Sequence, residues 1–289
     1  MMHLILGAAI ISFSPVFVKL SAPYGITGDA AAFHRVFIGG VCLFLATLAS
    51  REPRSKVWNM PRSGLGWSLA CAGFFTLDLL TWHLSILYAG PGLATLFANF
   101  QVFLLAAWGI MFLREKPGLR FFAGIALAMG GLFAIVAPAW ASAGANFQLG
   151  VIFGLLSGVF YAGFLLTLNR SLAVCGEGSQ LACMSANSLM TAALLVPFVL
   201  LRGETLALSL GMPLLLMAGY GVTSQFIGWV LISRGLRDTR TSLAGLILLL
   251  QPVLAYVWDL TIFSRPAGLA ELLGVAATLA GIGLGARRR

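Results

Sequence analysis

The chain has 289 residues, of which 60% are hydrophobic and 9% charged, and its mean hydropathy is +0.96. Soluble globular chains carry about a quarter charged residues, so an ordinary water-soluble domain is excluded. The formal net charge of +9 does not point to nucleic acid, because the basic residues are dispersed between apolar runs with no platform of alternating aromatic and basic side chains.

A hydrocarbon core of about 30 Å is crossed by about 20 apolar helical residues. Apolar runs bounded by charge, glycine or proline predict ten such segments, at 2–20, 30–50, 64–87, 92–113, 118–138, 148–170, 180–201, 211–234, 241–263 and 268–286. Lipid cannot satisfy irregular backbone, so each is expected to be a helix. The first run has neither a basic start nor a cleavage site and is expected to be retained, with Lys19 at its far end. The second carries His34 and Arg35. On the third, Asp78, Trp82 and Ser85 share a face, with His83 turned about 100° from Trp82 and Tyr88 further on.

In the fourth segment Thr95 and Asn99 share one face and Phe97, Gln101, Leu104 and Trp108 another. The fifth holds Gly124 and Gly131, seven apart and so nearly on one face, a packing pattern. The sixth offers Ser157, Tyr161 and Phe164, and the eighth Gln225 and Trp229, again at turn spacing. The ninth has Gln251 and Trp258, with Pro252 expected to kink it. The tenth repeats the small pair as Gly274 and Gly281.

Of the 18 Lys and Arg, fourteen fall at one set of alternate ends: Arg51, Arg54, Lys56, Arg62, Arg114, Lys116, Arg120, Arg170, Arg234, Arg237, Arg240 and Arg287 to Arg289. Lys19, Arg35, Arg202 and Arg265 take the other set. By the positive-inside bias both termini are expected in the cytoplasm of a bacterial cell, with the chain in its inner membrane.

A gap-free shift of 150 residues lays Gln101 on Gln251, Trp108 on Trp258, Gly118 on Gly268, Gly124 on Gly274 and Gly131 on Gly281. Shared hydrophobicity does not account for five coincidences of uncommon residue types. The expected fold class is therefore an all-α membrane protein of ten helices in two five-helix repeats, 1–138 and 148–289, joined by an uncharged linker at 139–147. An odd helix number per copy inverts the second copy, as in secondary transporters whose substrate site lies where the halves meet.

PVFVK at Pro15–Lys19 with Arg35 following, SILYAGPGLATLF at Ser85–Phe97, and FLREKPGLRFFAGIALAMGGL at Phe112–Leu132 together resemble the EamA type of the drug/metabolite transporter superfamily. The overall look is similar to bacterial aromatic amino-acid exporters. The resemblance implies a central cavity between the halves and export of metabolites such as amino acids. Arg265 stands where Glu115 stands in the first half, which makes a structural role the expectation for Glu115.

Charges inside hydrocarbon cost a few kcal/mol or more and count as functional candidates. Lys19, His34, Arg35, Asp78, His83, Asp259 and Glu271 are such residues. Two readings stay open for Arg35 and Lys19: one pairs with Asp78 as a structural lock, or one is left to meet a substrate carboxylate. The expected cavity residues are Asp78, Trp82, His83, Tyr88, Asn99, Gln101, Tyr161, Phe164, Gln225, Trp229 and Gln251. Aromatic rings with a few amides suit a flat, partly apolar solute such as an aromatic or large neutral amino acid.

Other classes fit less well. An intramembrane enzyme needs a nucleophile with its base or clustered ligands, and the three histidines come with no HExxH or GxSxG. No catalytic residue, metal or cofactor is expected, and Cys42, Cys71, Cys175 and Cys183 read as free thiols. A proton-coupled drug exporter would rely on Asp78 alone. A nucleotide-sugar or sugar-phosphate carrier wants several convergent cations, and only Lys19 and Arg35 lie at suitable depth.

Overall fold

The computed structural model describes residues 1–50, 62–89, 91–140, 146–176, 180–264 and 268–286. Arg51, Arg54, Lys56, Gly90, Arg265 and Arg287 to Arg289, together with the side chain of Asp259, lie outside the described residues. Five helical units make up each half. In the first half they are α1 (Met2–Ile11 and Ser14–Ser21), α2 (Gly28–Ala49), α3 (Arg62–Ala89), α4 (Pro91–Ala98 and Gln101–Met111) and α5 (Leu119–Trp140). The second half comprises α6 (Phe147–Cys175), α7 (Gln180–Leu201), α8 (Met212–Tyr220, Gly221–Gly228 and Trp229–Arg237), α9 (Thr241–Leu248 and Leu250–Ile262) and α10 (Leu269–Ala286).

Nine of these units have the length and apolarity to cross a bilayer, and the described part of α5 adds a shorter apolar helix, Leu119–Ile135. Large apolar side chains such as Leu87, Leu119, Leu201 and Leu269 stand exposed on the outside. Inside, apolar clusters of leucine, isoleucine, phenylalanine and alanine are interspersed with serines, threonines and amides. Among the polar residues Ser85, Gln101, Ser157, Ser171, Ser224 and Thr278 are completely buried, away from a lipid solvent that cannot satisfy them.

The 150-residue repeat is written into the backbone. The break in α4 after Ala98 recurs in α9 after Leu248, and α5 and α10 start at Leu119 and Leu269. Among the described residues the two non-glycine positions with positive φ are Arg114 at 53° and Ser264 at 51°, again 150 apart and in a region that L-residues visit rarely. Pro252 frees the carbonyl four residues before it, which accounts for the break in α9. The equivalent position in α4 has no proline. There Asn99 turns its amide back to the Thr95 carbonyl at 2.7 Å, so the bend belongs to the repeat and not to one residue.

Each major packing pair takes one helix from each half: α3 with α6, α1 with α8, α2 with α7, α4 with α9 and α5 with α10. The α5–α10 crossing exposes the symmetry. A Cβ on Gly131 would meet the Gly274 carbonyl at 2.4 Å and one on Gly274 the Gly131 carbonyl at 2.5 Å, while Gly124 and Gly281 stand in the same reciprocal relation at 2.6 Å. Contacts that exchange 124 with 281 and 131 with 274 run antiparallel about a two-fold axis. Near that axis Thr278 donates to the Ala128 carbonyl at 3.1 Å.

Local departures from the repeat are as informative. The first helix, expected to run unbroken over 2–20, is interrupted at Ser12–Phe13, because Pro15 cannot donate to the Ile11 carbonyl. The break is filled from the other half: Trp258 donates its indole N–H to Ser12 Oγ at 2.7 Å and stacks on Phe13 at 4.3 Å. Its counterpart α6 runs straight through. Residues Gly221–Gly228 of α8 are wound as a π-helix, a form that recurs at functional sites, whereas the equivalent part of α3 is regular.

Candidate functional site

Arg35 sits in α2, two turns from its start and 8% exposed. Its Nε donates to Gln225 Oε1 at 3.2 Å, and its guanidinium lies 5.6 Å from the Phe75 ring and 5.5 Å from the Tyr220 ring. Gln225 in turn donates to Ser188 Oγ at 2.9 Å. Among the described residues no carboxylate stands within 4.0 Å of Arg35. Arg35 is thus a buried cation held by an amide and two ring faces, and its chemistry allows it to accept an anion.

Asp78 is also 8% exposed, on α3. It accepts from Ser157 Oγ of α6 at 2.7 Å. Of the two readings left open for Arg35 and Lys19, a pairing with Asp78 has no contact ion pair behind it among the described residues. Lys19 is exposed, laid over the Phe263 ring at 4.1 Å.

Below Arg35 three rings form a box. Phe75 stacks on Phe164 at 4.2 Å, and the Trp229 indole stands edge-on to Phe164 at 4.8 Å and to Phe75 at 5.9 Å. A cavity of about 10 Å³ opens among Phe75, Phe164, Asn187, Thr191, Gln225 and Trp229, room for a single water. Both side-chain atoms of Asn187 and the Trp229 indole N–H are buried without a hydrogen-bond partner. Unsatisfied buried polar atoms are costly, and both residues line this cavity.

Tyr161 flanks the box, its ring 6.2 Å from Phe164 and its hydroxyl accepting from Gln251 Nε2 at 3.5 Å. The structure thus brings together Arg35, Asp78, Tyr161, Phe164, Gln225, Trp229 and Gln251. It does not bring in every candidate. Gln101 is completely buried with its amide unpartnered, at the α4–α6 contact. Asn99 is spent on the α4 bend. Trp82 is half-buried, 5.1 Å from the His83 ring, and Tyr88 stacks on Phe153 at 6.0 Å.

His83 belongs to a different cluster. Its Nδ1 lies 2.8 Å from Asp29, which also binds Arg202, while Thr27 donates to Glu204. This latch ties α2 and α3 of one half to the end of α7 in the other. At the opposite end Glu115 accepts from the amides of Thr241 at 2.8 Å and Ser242 at 3.2 Å and from the Ser242 hydroxyl. It caps α9 from across the halves, satisfying donors at a positive helix end. Replacing Glu115 with Ala is expected to cost about 1–2 kcal/mol, read as a lower apparent Tm in detergent, with Glu115→Gln recovering part of it.

Several residues of these clusters were not singled out from the sequence, among them Phe75 and Tyr220, whose rings lie under Arg35, and Asp29 and Asn187. Asp29 precedes the expected start of the second segment at 30 and so reads as a boundary residue outside the hydrocarbon. Asn187 lies in an apolar run with Ser188 and Thr191, small polar residues that ordinarily serve as glue between helices. The signal that could have found it is the one-turn spacing of Asn187 and Thr191.

The sequence model of the EamA-like transporter family matches residues 1–137 and again 148–285. No curated protein matches the chain in sequence. A solved structure titled only as a crystal structure of a protein is similar over 99% of this chain and 96% of its own, with a TM-score of 0.80 and 17% identity. At that identity it speaks for the fold alone.

Proposed function

Since the chain belongs to the EamA-like transporter family, whose members are membrane transporters and not enzymes, we propose that its substrate is an aromatic or other large neutral amino acid. Movement is outward across a bacterial inner membrane, with both termini cytoplasmic. The observation that carries this is Arg35, a buried guanidinium with no carboxylate in contact among the described residues, lying over Phe75, which packs with Phe164 and Trp229 beside the unpaired Asn187 amide. The guanidinium takes a carboxylate and the rings take an apolar side chain. One buried cation is too few for a sugar phosphate.

Alternating access is the mechanism this supports. The Asp29 latch and the Glu115 cap close opposite ends, and both join one half to the other. Rocking the halves would release one while keeping the second, and enlarge a cavity that now admits one water.

Uptake into protein-loaded liposomes tests the reading. Phenylalanine, tryptophan and leucine are expected to move, quaternary ammonium dyes and sugar phosphates not. Flux of the dyes in the absence of amino-acid flux would overturn the assignment.

A further inference from the structure

We propose that Arg35 and Asp78 form a two-ended clamp for a zwitterion, Arg35 holding the carboxylate and Asp78 the ammonium group of one α-amino acid whose side chain enters the ring box. The proposal rests on the amino-acid reading above and adds the requirement for a charged amino group.

Both residues lie inside hydrocarbon. Arg35 is about 10 Å along α2 from Gly28, and Asp78 is about 16 Å along α3 from Ala89. Each is incompletely used. Among the described residues Arg35 commits only its Nε and its terminal amino groups have no protein acceptor, and Asp78 receives a single side-chain hydrogen bond, from Ser157.

Phe75 ties the two charges to the box. It precedes Asp78 by three residues, on the same face of α3, lies under the Arg35 guanidinium and stacks on Phe164. Cation, anion and aromatic floor are therefore joined through one side chain, Phe75.

The repeat argues that this pair is not scaffolding. The corresponding helices of the second half, α7 over Gln180–Leu201 and α8 from Met212 to Ser233, contain no charged residue, so the second copy builds the same helices without either charge. Two buried charges that are not in contact leave both desolvated. A ligand carrying the opposite pair of charges satisfies both, and a ligand with one charge leaves the other group exposed to the penalty.

The test compares phenylalanine, 3-phenylpropionate and phenethylamine in liposomes, for the wild-type protein and for Asp78→Asn, Asp78→Glu and Arg35→Gln. Wild type is expected to favour phenylalanine over either single-charge analogue by about 30-fold or more. Asp78→Asn should lose phenylalanine while gaining relative preference for 3-phenylpropionate, and Asp78→Glu should restore part of the original order. The wild-type series needs no variant to fold. Equal flux of phenylalanine and 3-phenylpropionate in wild type would overturn the clamp while leaving the amino-acid reading intact. An unchanged substrate order in Asp78→Asn, with loss of only the response to a pH gradient, would make Asp78 a proton carrier and also overturn it. No flux of any amino acid would instead fail the reading beneath.

Discussion

Arg35→Gln is expected to lower phenylalanine flux at saturating protein incorporation by at least about 30-fold while leaving the amount of folded protein in the membrane unchanged. Removing one partner of a buried, hydrogen-bonded charge pair costs about 2–5 kcal/mol, and the partner here is the substrate. Folding loses little, because Arg35 makes one hydrogen bond to Gln225 and no contact ion pair among the described residues, and removing a buried charge relieves its desolvation. Arg35→Lys should not rescue, since an ammonium keeps the charge but loses the planar fork that grips a carboxylate and lies flat on Phe75 and Tyr220. Flux and binding by radiolabelled phenylalanine, with gel filtration to monitor the fold, decide it. A variant that is active, or one that aggregates, contradicts the assignment.

Arg35 also marks how far a sequence can be read. Its depth in an apolar run identified it as a buried charge, and the ring and amide candidates on α6, α8 and α9 fell on the same spot because helical spacing fixes faces. What spacing does not fix is which face meets which neighbour. Ser157 was visible on its face, but its choice of Asp78 as acceptor depends on how α3 lies against α6. His83 was assigned to the cavity, and Asp29, outside the expected span, drew it to the end of the bundle instead.

The repeat was the most legible feature, since glycines that let backbones touch cannot drift in position without loss of contact. The same 150-residue shift governs features that no residue type announces, the break in α4 and the positive φ at Arg114 and Ser264. Where the halves differ, local chemistry explains part. Pro15 breaks α1, and α6 has no proline to break it. The π-helical stretch of α8 has no such signature in its residues. Its glycines instead answer to neighbours, Gly221 meeting Ile38 and the Gly39 amide and Gly228 meeting Ile11.

Close glycine contact also sets the largest expected loss of stability. Gly131→Ala puts a methyl 2.4 Å from the Gly274 carbonyl and 2.6 Å from the Thr278 amide, backbone atoms that cannot rotate away. Overpacking a fitted interior costs about 1–3 kcal/mol where side chains can adjust, and here α5 and α10 must separate bodily, which also strains the Thr278 bond to Ala128. Gly130→Ala is the internal control, because nothing lies within 4 Å of its added methyl and alanine favours the helix by up to about 1 kcal/mol. The two neighbours should therefore move the apparent Tm in opposite directions, and equal effects would contradict the reciprocal crossing. Gly274→Ala strikes the same contact from the other side, so Gly131→Ala with Gly274→Ala should cost less than the sum of the two alone. Once the first methyl has pushed the helices apart, the second finds the space already made.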